Sequence, residues 1–273
     1  MTAAAAPTVS WLPGEVHLEV LLGVVVLAAL YTRAVLRTGE PLPLRQPLAF
    51  FGGCAALLAA LNGPLHDLSD GYLVSAHMVQ HLALTLVVPP LWLAGVPAGM
   101  CDRLLASVMR VRPAAAVARV VTRPLMAWSL YAVALVGWHL PGPYNAALER
   151  HGWHIVEHLV LLGTAVLGWW PILSPSRRLP ALPYAAQLLY LFVFGIPMTI
   201  VAAFVTAAEE PLYPWYAAAP RLFGLSALED QQIGGVIMWV PAAIIPVIAF
   251  TVVFFRWVAA EPDEPEPEPS TTP

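Results

Sequence analysis

The chain has 273 residues, of which 59% are hydrophobic and only 11% charged, with a formal net charge of -4. A soluble domain carries about one-quarter charged residues, so this composition excludes an ordinary water-soluble globule and leaves a membrane protein. The net charge itself decides little, because acids crowd the tail EPDEPEPEP, and nucleic acid is not an expected partner.

Apolar runs of about 20 residues predict an all-α fold, a polytopic membrane bundle of seven transmembrane helices. The opening MTAAAAPTVS lacks a basic region, so no cleaved signal peptide is expected and residues 1–15 read as an extracytoplasmic N-terminal segment. The first spans are predicted at 16–36, 47–62 and 71–95, the second opened by Pro47, which suits a helix N-terminus. The connection 96–123 is long enough for an amphipathic interfacial helix carrying LLASVMR and AAAVARVV. Further spans follow at 124–140, 152–172, 184–208 and 231–257, completing a membrane domain over 16–257. The tail 258–273 has too few apolar residues to fold and is expected to be disordered in the cytoplasm. There is no internal repeat, and Cys54 and Cys101 form no CxxC or CxC pair, so neither a thiolate clamp nor a disulfide is expected.

All 13 basic residues are arginine, and their placement orients the chain. Arg33, Arg37 and Arg45 flank the first connection, Arg103, Arg110, Arg112, Arg119 and Arg123 fill the third, Arg177 and Arg178 mark the fifth, and Arg256 closes the last span. Only Arg150 and Arg221 fall on the other side, which puts the N-terminus outside and the C-terminus inside. Tryptophans agree: Trp11, Trp138, Trp153 and Trp215 fall at outer ends, and Trp92, Trp128, Trp169, Trp170 and Trp257 at inner ends.

Two histidine pairs carry the chemistry. His77 and His81 in HMVQH, and His154 and His158 in HIVEH, are spaced i, i+4, so each pair shares one helix face. On the predicted topology all 8 histidines fall in the outer half, His17 opening the first span, His66 in the second connection, His139 ending the fourth span and His151 in the loop after it. Polar groups inside a span need partners and mark function, and neutral imidazole is the commonest metal ligand. The expected metal ligands are His77, His81, His154 and His158, with His139 as a fifth candidate; hydrogen bonding between helices is the plainer alternative. His17 and His151 read equally well as contacts to headgroups or water. Asn62, Asp70, Gln80, Tyr144 and Asn145 crowd the same level, and His66, Asp67, Glu157 and Asp230 are the groups expected to orient the ligating rings. Met78, Met198 and Met238 could offer thioether, but core packing explains them as well.

Imidazoles suit zinc, copper, iron and nickel alike. HExxH is absent, since Met78 follows His77 and Ile155 follows His154. A zinc-dependent membrane hydrolase using Glu157 as base stays open, as does a haem-binding electron carrier, although haem would favour single histidines from opposing helices.

The stretches HMVQHLALTLVVPPLWLAGVP, WHLPGPYNAAL, HIVEHLVLLGTAVLGWWP and DQQIGGVIMWVP, in that order, resemble the seven-helix bacterial CtaG family of caa3-type cytochrome c oxidase assembly factors. The resemblance covers about residues 45–257. It implies a multi-pass protein of the bacterial plasma membrane, not an enzyme, that is needed to make active cytochrome c oxidase and handles copper. The implied partners are oxidase subunits, a copper donor protein and membrane lipid. The matching blocks carry His77, His81, His139, His154 and His158 over as the positions that matter.

Overall fold

The structure is a computed structural model and describes residues 16–37 and 42–261. The predicted N-terminal segment 1–15 and all but the first residues of the predicted tail lie outside the described residues. Among the described residues all regular structure is helical. In chain order the helices are α1 (Leu18–Leu36), α2 (Arg45–Leu61), α3 (Pro64–Gly71), α4 (Val74–Leu82), α5 (Val88–Gly95), α6 (Ala98–Met109), α7 (Arg112–Val121) and α8 (Pro124–His139). They continue with α9 (Pro141–Glu149), α10 (His151–Leu173), α11 (Tyr184–Phe194), α12 (Ile196–Ala207), α13 (Pro214–Ala218) and α14 (Ala227–Val258).

Each predicted span has its helix, with ends shifted by a few residues. By length and hydropathy α1, α4 through α5, α10, α11 through α12, and α14 are each able to cross a bilayer. α2 with α3, bent by 45°, and α7 with α8, bent by 77°, reach that length only as pairs, so among the described residues five helices, or up to seven with the bent pairs, are long and apolar enough to cross a membrane. Large aliphatic and aromatic side chains cover the outside, among them Leu22, Leu125, Val133, Phe192 and Phe255. Water would not tolerate that surface and a lipid phase would.

Three segments taken as connections are themselves helical. The stretch after Asn62 forms α3, because Gly63 adopts φ 71° and Pro64 sits at the first helical position. Pro141 likewise starts α9, and Pro214 starts α13. α14 begins four residues earlier than expected, at Ala227, because Ser226 and Glu229 close a reciprocal capping box. The long third connection does hold helices, α6 and α7. Asp102 on α6 accepts the Ser176 hydroxyl at 2.6 Å and the Arg177 amide at 3.1 Å, which joins the third and fifth arginine-bearing connections.

The break inside α4–α5 has a chemical cause. Pro89 and Pro90 supply no N–H, so the preceding turn widens into a π-helical segment, Ala83–Val87, in which the Val88 amide reaches Ala83 O. The Thr85 carbonyl that Pro89 leaves without a donor is taken by the Trp169 indole N–H at 2.9 Å, from α10. This bond fixes α4 and α10, the two histidine-bearing helices, side by side.

α14 packs on α12, α4 and α11, while α10 packs on α8 and α5. The approach of α14 requires glycine: a Cβ on Gly235 would meet the side chain and the backbone nitrogen of Thr206, and one on Gly234 would press on Met78 and Val74. Met78, Met198 and Met238 lie in the main apolar cluster with Leu161, Trp169 and Phe194, so they pack. α1 is peripheral. Only Val24 and Tyr31 of its residues are buried, and Tyr31 anchors it through a 3.1 Å hydrogen bond to Gly95 O.

Candidate metal centre

One end of the bundle gathers α4, the N-terminal half of α10 and the C-terminus of α8. The i, i+4 spacing brings His77 and His81 together with ring centroids 4.3 Å apart, and His154 and His158 at 4.2 Å. The two pairs face each other, with His77 5.5 Å from His154 and His81 5.9 Å from His158. One donor atom from each of His77, His154, Glu157 and His158 lies within 4.8 Å of all the others. All of these side chains are buried.

The hydrogen-bond partners fix where the ring protons sit. The Tyr216 hydroxyl donates to Ser69 O, so its oxygen accepts Nδ1–H of His77 at 2.9 Å, leaving Nε2 of His77 without a proton. His139 donates Nδ1–H to Leu135 O at 2.7 Å, and its bare Nε2 accepts Nδ1–H of His81 at 3.2 Å. Nε2 of His81 is therefore bare too. These two lone pairs confront each other at 2.8 Å. Two neutral acceptors repel at that distance; a cation between or beside them removes the conflict.

The carboxylate tells the same story. Glu157 lies 3.5 Å from Nε2 of His81 and 3.9 Å from Nε2 of His77, yet neither of its oxygens has a hydrogen-bond partner. Nε2 of His154 and Nε2 of His158 are also buried without partners. An unsatisfied buried polar group costs about 1–3 kcal/mol, and an uncompensated charge more. Several such atoms converging on one point fit a bound cation that they would share.

The remaining expected residues take distinct places. His139 turns both nitrogens to protein groups, which sets it behind His81 as its support. His66 accepts from the Gln80 amide at 2.9 Å through Nδ1 and lies outside the convergent set, its Nε2 3.4 Å from Asp70. Asp230 sits at the start of α4, accepting the Val74 amide at 2.7 Å and the Ser75 hydroxyl at 2.5 Å, so it holds the helix that carries His77 and His81. Glu157, expected to orient a ring, stands instead among the converging donors. Asp67 belongs to α3, but the carboxylate of that helix beside the rings is Asp70, 3.4 Å from Nδ1 of His154. Tyr216, on α13, was not singled out by the sequence; no local pattern ties it to a histidine 139 positions away. Cys54 and Cys101 are free and stand outside the converging set. Burial pushes the Cys101 thiol up to about 11.

Fold and site together define a polytopic α-helical membrane protein with a buried histidine–glutamate cluster. The chain belongs to the cytochrome c oxidase caa3 assembly factor family, CtaG, which matches residues 29–260. It is also similar to uncharacterized proteins of Mycobacterium bovis and Mycobacterium tuberculosis, each 23% identical over 82% of this chain and 36% of their own length. A Mycobacterium leprae relative is 22% identical over the same shares. The chain thus spans about a third of the length of these curated relatives. No solved structure matches it.

Proposed function

We propose that this oxidase assembly factor binds copper at His77, His81, His154 and His158 with Glu157, and helps deliver that ion to a cytochrome c oxidase of the bacterial plasma membrane. The observation that carries the reading is the pair of bare Nε2 atoms of His77 and His81, 2.8 Å apart beside a carboxylate with no partner. Copper is cargo here rather than a resident cofactor. Imidazole donors suit it, and a mixed histidine–carboxylate set holds it less tenaciously than thiolates would, which eases release. His139, Tyr216 and Asp70 fix the rings from behind, so the donors are preorganised for capture. On the arginine-based topology the N-terminus is outside, seven helices cross, and the centre lies in the outer half. An oxidase subunit docking in the membrane would receive the ion laterally, and a copper donor protein would load it from the outer face.

Membranes from cells expressing His77→Ala or His158→Ala should contain oxidase polypeptide deficient in copper, with activity restored by wild type. Fully metallated oxidase in both strains would reject delivery from this site.

A second reading, a zinc-dependent hydrolase at the outer leaflet, is favoured by one observation. Both Glu157 oxygens are free to act as a base next to the rings. Zinc in the purified protein would select it. A haem carrier fits poorly, because the rings of the four central histidines pack at 4.2–6.1 Å and leave no slot for a porphyrin between them.

A further inference from the structure

A cavity of about 350 Å³ opens between α1 and α10, with His154 and His158 in its wall. Most of its wall is aliphatic, but one side carries His151, Glu19, His17 and His66. These residues repeat a single arrangement. Oε1 of Glu19 lies 2.9 Å from Nδ1 of His17 and 3.7 Å from Nε2 of His151. Oδ2 of Asp70 lies 3.4 Å from both Nε2 of His66 and Nδ1 of His154. Glu157 also stands beside two rings, one with each oxygen, Oε2 3.9 Å from Nε2 of His77 and Oε1 3.5 Å from Nε2 of His81. Three times, then, a carboxylate sits between two imidazoles.

The three groups are also in ring contact. His151 and His17 lie 6.2 Å apart by centroid, His17 and His66 4.0 Å, His66 and His154 5.8 Å, and His154 and His77 5.5 Å. Exposure falls steadily along that order, from 63% for the His151 side chain through 18% for His17 and 8% for His66 to none for His77. All 8 histidines of the chain thus form one connected series, with His139 behind its inner end.

We propose that His151–Glu19–His17 and His66–Asp70–His154 are two exchange stations through which a soft metal cation passes between the protein surface and the buried centre. The inference rests on the reading of that centre as a metal site. An ion crossing a low-dielectric region needs charge compensation at every stop, and each station offers one carboxylate for it. With rings 4.0–6.2 Å apart, the next imidazole engages the ion before the previous one lets go, so no step leaves it bare. The outer station joins Glu19 of α1 and His17 at its N-cap to His151 at the start of α10. α1 is the helix least embedded in the bundle, and a donor or recipient has access there.

The test uses the full chain in detergent, loaded anaerobically with Cu(I), and follows extraction by excess bicinchoninate through its absorbance. In the His17→Ala/His151→Ala double variant the amount of Cu(I) bound at equilibrium should match wild type, while loading and extraction both slow by about tenfold. Glu19→Gln should slow both as well, with the two histidines intact. Unchanged rates in both variants would overturn the route and leave the buried centre standing. Loss of bound Cu(I) in the double variant would also overturn it, by making the outer histidines part of the binding site itself. No Cu(I) bound even by wild type would remove the centre, and the route with it.

Discussion

His77 and His81 aim their Nε2 atoms at each other across 2.8 Å from successive turns of α4, and each ring is held there by a partner on its Nδ1. Tyr216 holds one and His139 the other, so the bare nitrogens are imposed by second partners on α13 and α8. That geometry is unfavourable for an empty apolar core and favourable for binding a cation.

Tyr216→Phe deletes the acceptor that fixes the His77 ring. The ring is then free to turn or to change tautomer, and Cu(I) affinity should fall by about 10–100-fold, read by competition with a chelator. The bundle should stay folded, since phenylalanine fills the same space. Equal affinity in variant and wild type would mean that Tyr216 does not position His77.

Asp230→Ala leaves the Val74 and Ser75 amides at the start of α4 without their acceptor. The expected loss is about 1–3 kcal/mol in an unfolding titration in mixed micelles. A variant as stable as wild type would show that water or another group caps α4.

Gly235→Val forces a side chain against Thr206, whose backbone nitrogen stands 2.8 Å from the Cβ position and cannot rotate away. Separation of α14 from α12 should cost about 1–3 kcal/mol. Adding Thr206→Ala should restore only part of it, because the backbone obstacle remains; full rescue would place the clash in the hydroxyl alone.

The Ser176 hydroxyl, followed by the Arg178 and Arg177 amides, holds the Asp102 carboxyl below the usual aspartate range. A carboxylate depressed in the folded state stabilises above its unfolded pKa, and that contribution disappears as pH falls through the lower folded value. Proteolytic nicking near Arg177 should therefore be slow at neutral pH and speed up in acid, and Asp102→Asn should be fast at both. A flat pH profile in wild type would contradict the link.

The i, i+4 pairs were readable because helical periodicity alone places both rings on one face, and α4 and α10 are both helical over those pairs. The aromatic and apolar lengths likewise placed the long helices within a few residues. What the sequence hid depends on contacts between distant segments. Asp70 reaches His154 only because Gly63 and Pro64 turn the chain into α3, and a linear reading could not prefer it to Asp67 three positions earlier. Glu157 is expected from the sequence to orient a ligating ring or act as a base, and nothing local shows that it lies beside His77 and His81 on another helix. The contact of His17 with His66 needs α1 folded back along α2, which no local pattern encodes.

The most direct measurement is the metal content of freshly purified protein, by plasma mass spectrometry, for wild type and His77→Ala after anaerobic loading with Cu(I). Near-stoichiometric copper in wild type and little in the folded variant is the expected result. Equal copper in both would contradict the site assigned to His77, and no copper in either would leave the histidines as hydrogen-bond partners within the bundle.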